Sequence, residues 1–276
     1  VLRRERLELK TDDQIRTMRR AGLVVADALA AARRVAARPG ASTGEVDAAA
    51  AAAIAEAGAT SNFLGYGDPP FPATTCISVN DEVVHGIPGR RRLQAGDLVS
   101  IDCGAIVDGW HGDAAITVVC GGDGAARGDA LALSQATERS LWAGIAALAS
   151  ARHLGDVGAA IEDSIADRYG ILENYTGHGI GTAMHMAPEV LNYRARGRTP
   201  KVRAGLCVAI EPMCVAGAPE VTTAADDWTV VTVDGSYGAH WEHTVAVHSR
   251  GLWVLTAVDG GLAGLAPFGV APIPLD

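Results

Sequence analysis

The chain lacks most of what would send it to a membrane, a disulfide framework or a polyanion. No apolar run reaches the roughly 18 residues that a membrane helix needs. The opening V-L-R-R-E-R is charged and has no apolar core of a signal peptide. Five cysteines, Cys76, Cys103, Cys120, Cys207 and Cys214, are an odd number without a C-x-x-C pair. That usage reads as reduced and cytoplasmic. Basic residues number 23 against 32 acidic ones, a formal charge of −9, which argues against a general nucleic-acid binder. The one basic run, Arg90-Arg91-Arg92, reads as a solvated loop. H-E-x-x-H does not occur, which disfavours one common hydrolase design. What remains is a chain of 276 residues, 49% hydrophobic, with ample material for one sizeable core.

Two capping boxes open the chain's first helices. Thr11 to Gln14 precedes Ile15, Met18, Gly22, Val25 and Leu29 at helical spacing. Ser42 to Glu45 starts a second helix that ends near Gly58. A loop rich in Gly and Pro, Gly65 to Pro72, leads into a β-type segment, Thr74 to Val79. The pattern then repeats. Asp129 to Ala149 reads as a helix, and Asp156 caps another that stops at Gly170. A glycine-rich loop, Gly177 to Gly181, precedes strands at Leu206 to Val215, Thr229 to Val233 and Trp241 to His248. Helix pair then strands, twice over, predicts two related halves sharing a sheet. No Ser-rich or charged linker separates them, so one domain is expected. The stretch after Leu255 reads as irregular.

Between the first strand segment and the second helix pair lies S-I-D-C-G-A-I-V-D-G-W-H-G-D, Ser100 to Asp113. Asp108-Gly109 is a strong hairpin turn signal. With that turn, Asp113 faces Gly104 and shares a sheet face with Asp102, the two Cα atoms being about 7–8 Å apart. Two ionised carboxylates so placed need a proton, a cationic side chain or metal ions, and the stretch holds no Lys or Arg. Glu211 ends the apolar run L-C-V-A-I, and Glu242 precedes T-V-A-V. An unpaired carboxylate in apolar surroundings is costly, so each is a candidate for function. His85, His178 and His185 lie beside glycine turns. A single such histidine is more often a hydrogen-bonded loop residue. Together, four carboxylates and an imidazole ask for about four positive charges, which two divalent metals supply.

The motifs V-N-D-E-V-V-H-G-I-P, I-D-C-G-A-I-V-D-G-W-H-G-D-A, G-H-G-I-G, A-I-E-P-M and W-E-H-T-V occur in order over about residues 10–250. In this the sequence resembles the type I methionine aminopeptidases. The resemblance implies the pita-bread fold of mixed α/β (α+β) type: a curved antiparallel sheet flanked by two helix pairs with pseudo-twofold symmetry. It implies two divalent metal ions (Co, Mn, Fe or Zn) held by Asp102, Asp113, His178, Glu211 and Glu242. Asp113 and Glu242 would bridge the metals, Asp102 would hold one, and His178 and Glu211 the other. An oxygen-rich set with one imidazole does not choose among these metals. The implied reaction is removal of the initiator methionine when the second residue is small, by a metal-bridged hydroxide that attacks the first peptide bond. Glu211 would also shuttle the proton. His185 would donate to the developing oxyanion or scissile amide, and His85 would stabilise the tetrahedral intermediate or leaving amine. Both histidines would thus contact substrate. The methionine pocket would be walled by Tyr66, Phe71, Cys76, Met184 and Trp228, although each could equally be ordinary core. One departure is Met186, where many relatives have Glu; that position is not a ligand.

Prolidases and X-Pro aminopeptidases share the implied fold and ligands, but they usually carry a large extra N-terminal domain. Here about ten residues precede the first helix. The second methionine aminopeptidase type carries a helical insertion for which the 185–211 segment leaves no obvious room. Non-catalytic relatives lose metal ligands, and all five are present here. The expected organisation is a short lead over 1–10, a catalytic domain over 11–255 and an irregular tail over 256–276. The expected partners are N-terminal methionine of nascent chains and the ribosome, with no specific nucleic-acid or membrane binding. The expected state is a cytoplasmic monomer.

Overall fold

Two helix pairs, each packed on an antiparallel sheet, and two further three-stranded sheets make up the computed structural model, which describes residues 7–275. Residues 1–6 of the expected N-terminal lead, including the charged V-L-R-R-E-R opening, lie outside the described residues. Helix α1, Asp12–Ala36, begins at Thr11, whose hydroxyl accepts the Gln14 N–H while the Gln14 side chain accepts the Thr11 N–H. Helix α2, Thr43–Glu56, is opened in the same way by Ser42 and Glu45. Both reciprocal caps satisfy donors that a helix start otherwise leaves unpaired. Val25, Leu29 and Ala32 of α1 meet Val46, Ala50 and Ile54 of α2 over Ile77, Ile101 and Cys103 of the sheet beneath.

That sheet is built round the predicted hairpin. Leu98–Val107 and Trp110–Val119 pair in register, Gly104 opposite Asp113 and Asp102 opposite Ala115. Thr75–Val79 lies along the other edge of Leu98–Val107, with Cys76 opposite Asp102. Gly22 lets α1 sit close: a Cβ there would fall 2.2 Å from the Leu255 carbonyl oxygen.

In the second half, α3, Ala130–Leu148, and α4, Gly155–Ile165, cover a five-stranded antiparallel sheet. Its strand order is Gly251–Val254, His243–His248, Cys207–Ile210, Gly177–Gly179, Met186–Val190. Leu141, Ile145, Val157 and Ile161 pack on Val208, Ile210, Val245 and Val254. The two halves meet where the hairpin passes Glu242. Ala115 and Glu242 exchange backbone hydrogen bonds of 3.0 and 3.3 Å. The Thr244 hydroxyl accepts the Asp113 N–H at 3.0 Å and donates to the Asp113 carbonyl at 2.8 Å. The two helix pairs on antiparallel sheet match the expected architecture, with the strands divided among four hydrogen-bonded sheets.

Several local readings are corrected. Asp156 lies inside α4 rather than before it. Its carboxylate accepts the N–H groups of Arg152 and His153, so it serves the turn upstream. The helix stops at Ile165, well before Gly170, because Ala166 and Asp167 adopt left-handed φ of 50° and 56°. Gly177–Gly179, read as loop, is a strand. Small residues are needed there, since a Cβ on Gly177 would meet the Ala209 carbonyl. Leu206 to Val215, read as one strand, is two, Cys207–Ile210 and Met213–Val215, broken at Glu211-Pro212. Proline cannot donate to a ladder, so the pairing is interrupted at Glu211-Pro212. The stretch after Leu255 carries short helical turns at Leu262–Leu265 and Ala266–Phe268, and it buries Leu265 and Leu275.

Candidate metal centre and its pocket

The inner sheet surface between the halves carries one cavity into which all the expected side chains converge. Asp102 and Asp113 enter from the hairpin, His178 from Gly177–Gly179, Glu211 from the strand break and Glu242 from the turn before His243–His248. His85 and His185 line it too, with Tyr66, Phe71, Cys76, Met184 and Trp228. His85 holds a left-handed φ of 60°. A non-glycine residue with such backbone is uncommon.

The four carboxylates are deeply placed: Asp102 is 9% exposed, Asp113 3%, Glu211 8% and Glu242 2%. No Lys or Arg lines the cavity among the described residues. Oδ1 of Asp102, Oδ1 of Asp113 and Oε1 of Glu242 have no hydrogen-bond partner. Burial pushes the Asp102 carboxyl up to about 7. Burial, then repulsion from Asp102 and Glu211, raises Asp113 well above the usual range. Burial and Asp102 raise Glu211; burial and the other three carboxylates raise Glu242.

The imidazoles move the opposite way. Burial and neighbouring His185 bring His178 down to about 3 and His85 to about 4, and burial also lowers His185. Each is therefore neutral near pH 7. A neutral imidazole is a metal ligand or a hydrogen-bond donor, not a counter-ion.

A donor set of four unneutralised carboxylates and one neutral imidazole fits two divalent cations. One donor atom from each of Asp113, His178 and Glu242 lies within 4.8 Å of the others. Nε2 of His178 stands 3.3 Å from Oε1 of Glu211. Nδ1 of His178 faces the Gly179 carbonyl at 3.1 Å. As a donor to that carbonyl, Nδ1 leaves Nε2 as the bare nitrogen toward the carboxylates.

The rest of the cavity is apolar. Phe63, Phe71, Ala73, Cys76 and Met184 form one buried cluster, with Ile87 and Trp228 against it. Phe71 and Trp228 meet edge to face at 5.1 Å between centroids. The Trp228 indole N–H is bonded to the Pro69 carbonyl at 3.1 Å. Tyr66 lines the cavity beside this cluster.

Phe63 and Val84 line the cavity too and were not anticipated. Nor was Asn192, whose amide donates to the Glu211 carbonyl at 3.1 Å and the Tyr175 carbonyl at 3.2 Å. His240 was not anticipated either, with Nε2 at 3.8 Å from Oε2 of Glu211. Thr244 and His240 stand two residues either side of Glu242, so strand alternation carried a signal for both.

The model of metallopeptidase family M24 matches residues 16–249. Methionine aminopeptidase 1 of Mycobacterium tuberculosis is 50% identical over 251 residues, covering 88% of this chain and 92% of its own. The methionine aminopeptidase of Clostridium acetobutylicum is 42% identical over 253 residues, covering 91% and 99%. The crystal structure of methionine aminopeptidase from Thermotoga maritima superposes with a TM-score of 0.86 at 35% identity, covering 91% of this chain and 99% of that one.

Proposed function

The chain belongs to metallopeptidase family M24, and from that premise we propose how it works. It is a type I methionine aminopeptidase that removes the N-terminal methionine of nascent proteins and peptides when the second residue is small. The observation that carries this reading is the pairing of four buried, unneutralised carboxylates with an adjoining apolar pocket.

Asp102, Asp113, His178, Glu211 and Glu242 would hold two divalent ions, of Co, Mn, Fe or Zn. When bound, such ions lower the pKa of water and polarise a carbonyl. The chain's own residues do the rest. The apolar wall of Tyr66, Phe71, Cys76, Met184 and Trp228 receives the methionine side chain, and Met and aromatic groups suit a flexible thioether. Glu211, at the edge of the donor set, carries the proton from attacking water toward the leaving amine. His185, 4.4 Å from His178 between ring centroids, donates to the carbonyl oxygen or the scissile amide. His85 lies across the pocket against Trp228 and Tyr175, with ring centroids at 5.9 and 6.1 Å, and stabilises the departing amine.

Residues 11–255 are the catalytic unit in this reading. No helix among the described residues is long and apolar enough to cross a membrane. The five buried, unpaired cysteines support a reducing, cytoplasmic setting. There the enzyme would act as a monomer on chains leaving the ribosome. The test is cleavage of Met-Ala-Ser, Met-Leu-Ser and Leu-Ala-Ser before and after metal removal and add-back. Met-Ala-Ser alone should be cut well, and only with metal. Equal cleavage of all three would defeat the assignment.

A further inference from the structure

Imidazoles approach Glu211 from two sides. Nε2 of His178 is 3.3 Å from Oε1, and Nε2 of His240 is 3.8 Å from Oε2. His178 belongs to the donor set; His240 has no role in it. The His240 backbone is clamped. Its N–H reaches Ser100 Oγ and Thr117 Oγ1 at 3.2 and 3.0 Å, and its carbonyl accepts the Thr117 hydroxyl at 2.7 Å. His240 pairs with Met213 across the strands Gly238–His240 and Met213–Val215. Met213 is two residues past Glu211, so His240 stands diagonal to Glu211. The residue is 1% exposed, and neither ring nitrogen has a hydrogen-bond partner. A buried polar group left unpaired is costly, and each such group calls for an explanation. An aliphatic side chain would fill the same space without that cost.

We propose that His240 is a positioning residue for Glu211: its Nε2–H takes Oε2 and leaves Oε1 turned toward His178 and the metal donors. The inference rests on Glu211 being a ligand and proton carrier, as proposed above. The 3.8 Å contact is long for a hydrogen bond. The last torsion of a glutamate is broad, so a small turn of the carboxylate closes it. Partners that orient a metal-ligating side chain in this way typically matter by about 10–100-fold in metal affinity or activity.

The test uses the full chain, stripped of metal, as wild type, His240→Leu and His240→Gln. Three quantities are read: the metal-free Tm, the Kd for Mn by calorimetry, and kcat and KM on Met-Ala-Ser. In His240→Leu the metal-free Tm should hold or rise, because an unpaired imidazole is replaced by an apolar group. The Mn Kd should weaken by about 10–100-fold, with kcat falling and KM changing little. His240→Gln keeps a donor and should restore most of both losses. A Mn Kd within twofold of wild type in His240→Leu overturns the inference, as does a loss that His240→Gln fails to restore. Should His240→Leu not fold, His240→Met, adaptable but without a donor, takes its place under the same criteria. Wild type that binds no Mn and cuts no Met-Ala-Ser would refute the proposed function itself. Failure of the His240 variants alone would leave that function standing.

Discussion

The Tyr66 hydroxyl lies 2.6 Å from Nδ1 of His185, with the two rings edge to face at 5.2 Å between centroids. A phenol that donates to Nδ1 fixes the neutral tautomer whose proton is on Nε2, the nitrogen left to face the cavity. Tyr66 lines the cavity and, as the donor, would aim His185.

Tyr66→Phe keeps the wall and removes the aim. We expect kcat on Met-Ala-Ser to fall about 5–10-fold, the size of one hydrogen bond worth about 1 kcal/mol. Tyr66 is 41% exposed, so folding should be unaffected, and bound metal should match wild type. Unchanged kcat would show that the hydroxyl does not orient the imidazole.

His85→Ala and His185→Ala should each lower kcat by about 10²–10⁴-fold, the usual scale of a lost acid/base or oxyanion contact. Metal stoichiometry should stay at the wild-type value, because neither belongs to the donor set. His178→Ala is the comparison and should lose metal as well as rate. Metal analysis of the three variants beside kcat and KM decides it. If His85→Ala or His185→Ala shed metal as readily as His178→Ala, the division between ligands and substrate-facing histidines is wrong.

Much of the architecture was legible because its signals are local. The capping boxes at Thr11 and Ser42 are four-residue patterns, and Asp108-Gly109 sets the hairpin register that brings Asp113 opposite Gly104. The misreadings occur where distant contacts decide. Gly177–Gly179 looks like a loop by composition, yet it is a strand packed closely on Ala209. Asp156 has the chemistry of a cap but serves the preceding turn. Phe63 and Val84 reach the cavity through tertiary packing that no periodicity announces. Thr244 and His240 were readable, being on the same alternation as Glu242. Their meaning depends on partners, Asp113 and Glu211, that lie far away in the chain.

The metal-free protein should lose stability as pH rises above neutrality. Carboxyls whose folded pKa exceeds the unfolded value stabilise the fold at low pH, and that stability is lost as pH rises through the folded pKa. For Asp102 the loss runs from about 4 up to about 7, and for Asp113, Glu211 and Glu242 it extends upward in the same direction. The histidines His85, His178 and His240, lowered to about 4, 3 and 3, act oppositely. Their contribution grows with pH but is complete once pH exceeds about 6.5, the unfolded value. Between pH 6.5 and 8 the carboxyl effect stands alone. Thermal melts should show Tm of the metal-free form falling over that window, and bound metal should abolish most of the fall. A flat metal-free profile would mean that the four carboxyls are not held in raised form.

The most direct test of the account is a titration of Mn or Co into the metal-stripped protein, with methionine release from Met-Ala-Ser followed at each addition. No release is expected without metal, and recovery should saturate by two equivalents. Asp113→Ala and Glu242→Ala should show no recovery at those concentrations. Full release by the stripped protein, or recovery unaffected by the loss of either carboxylate, would contradict it.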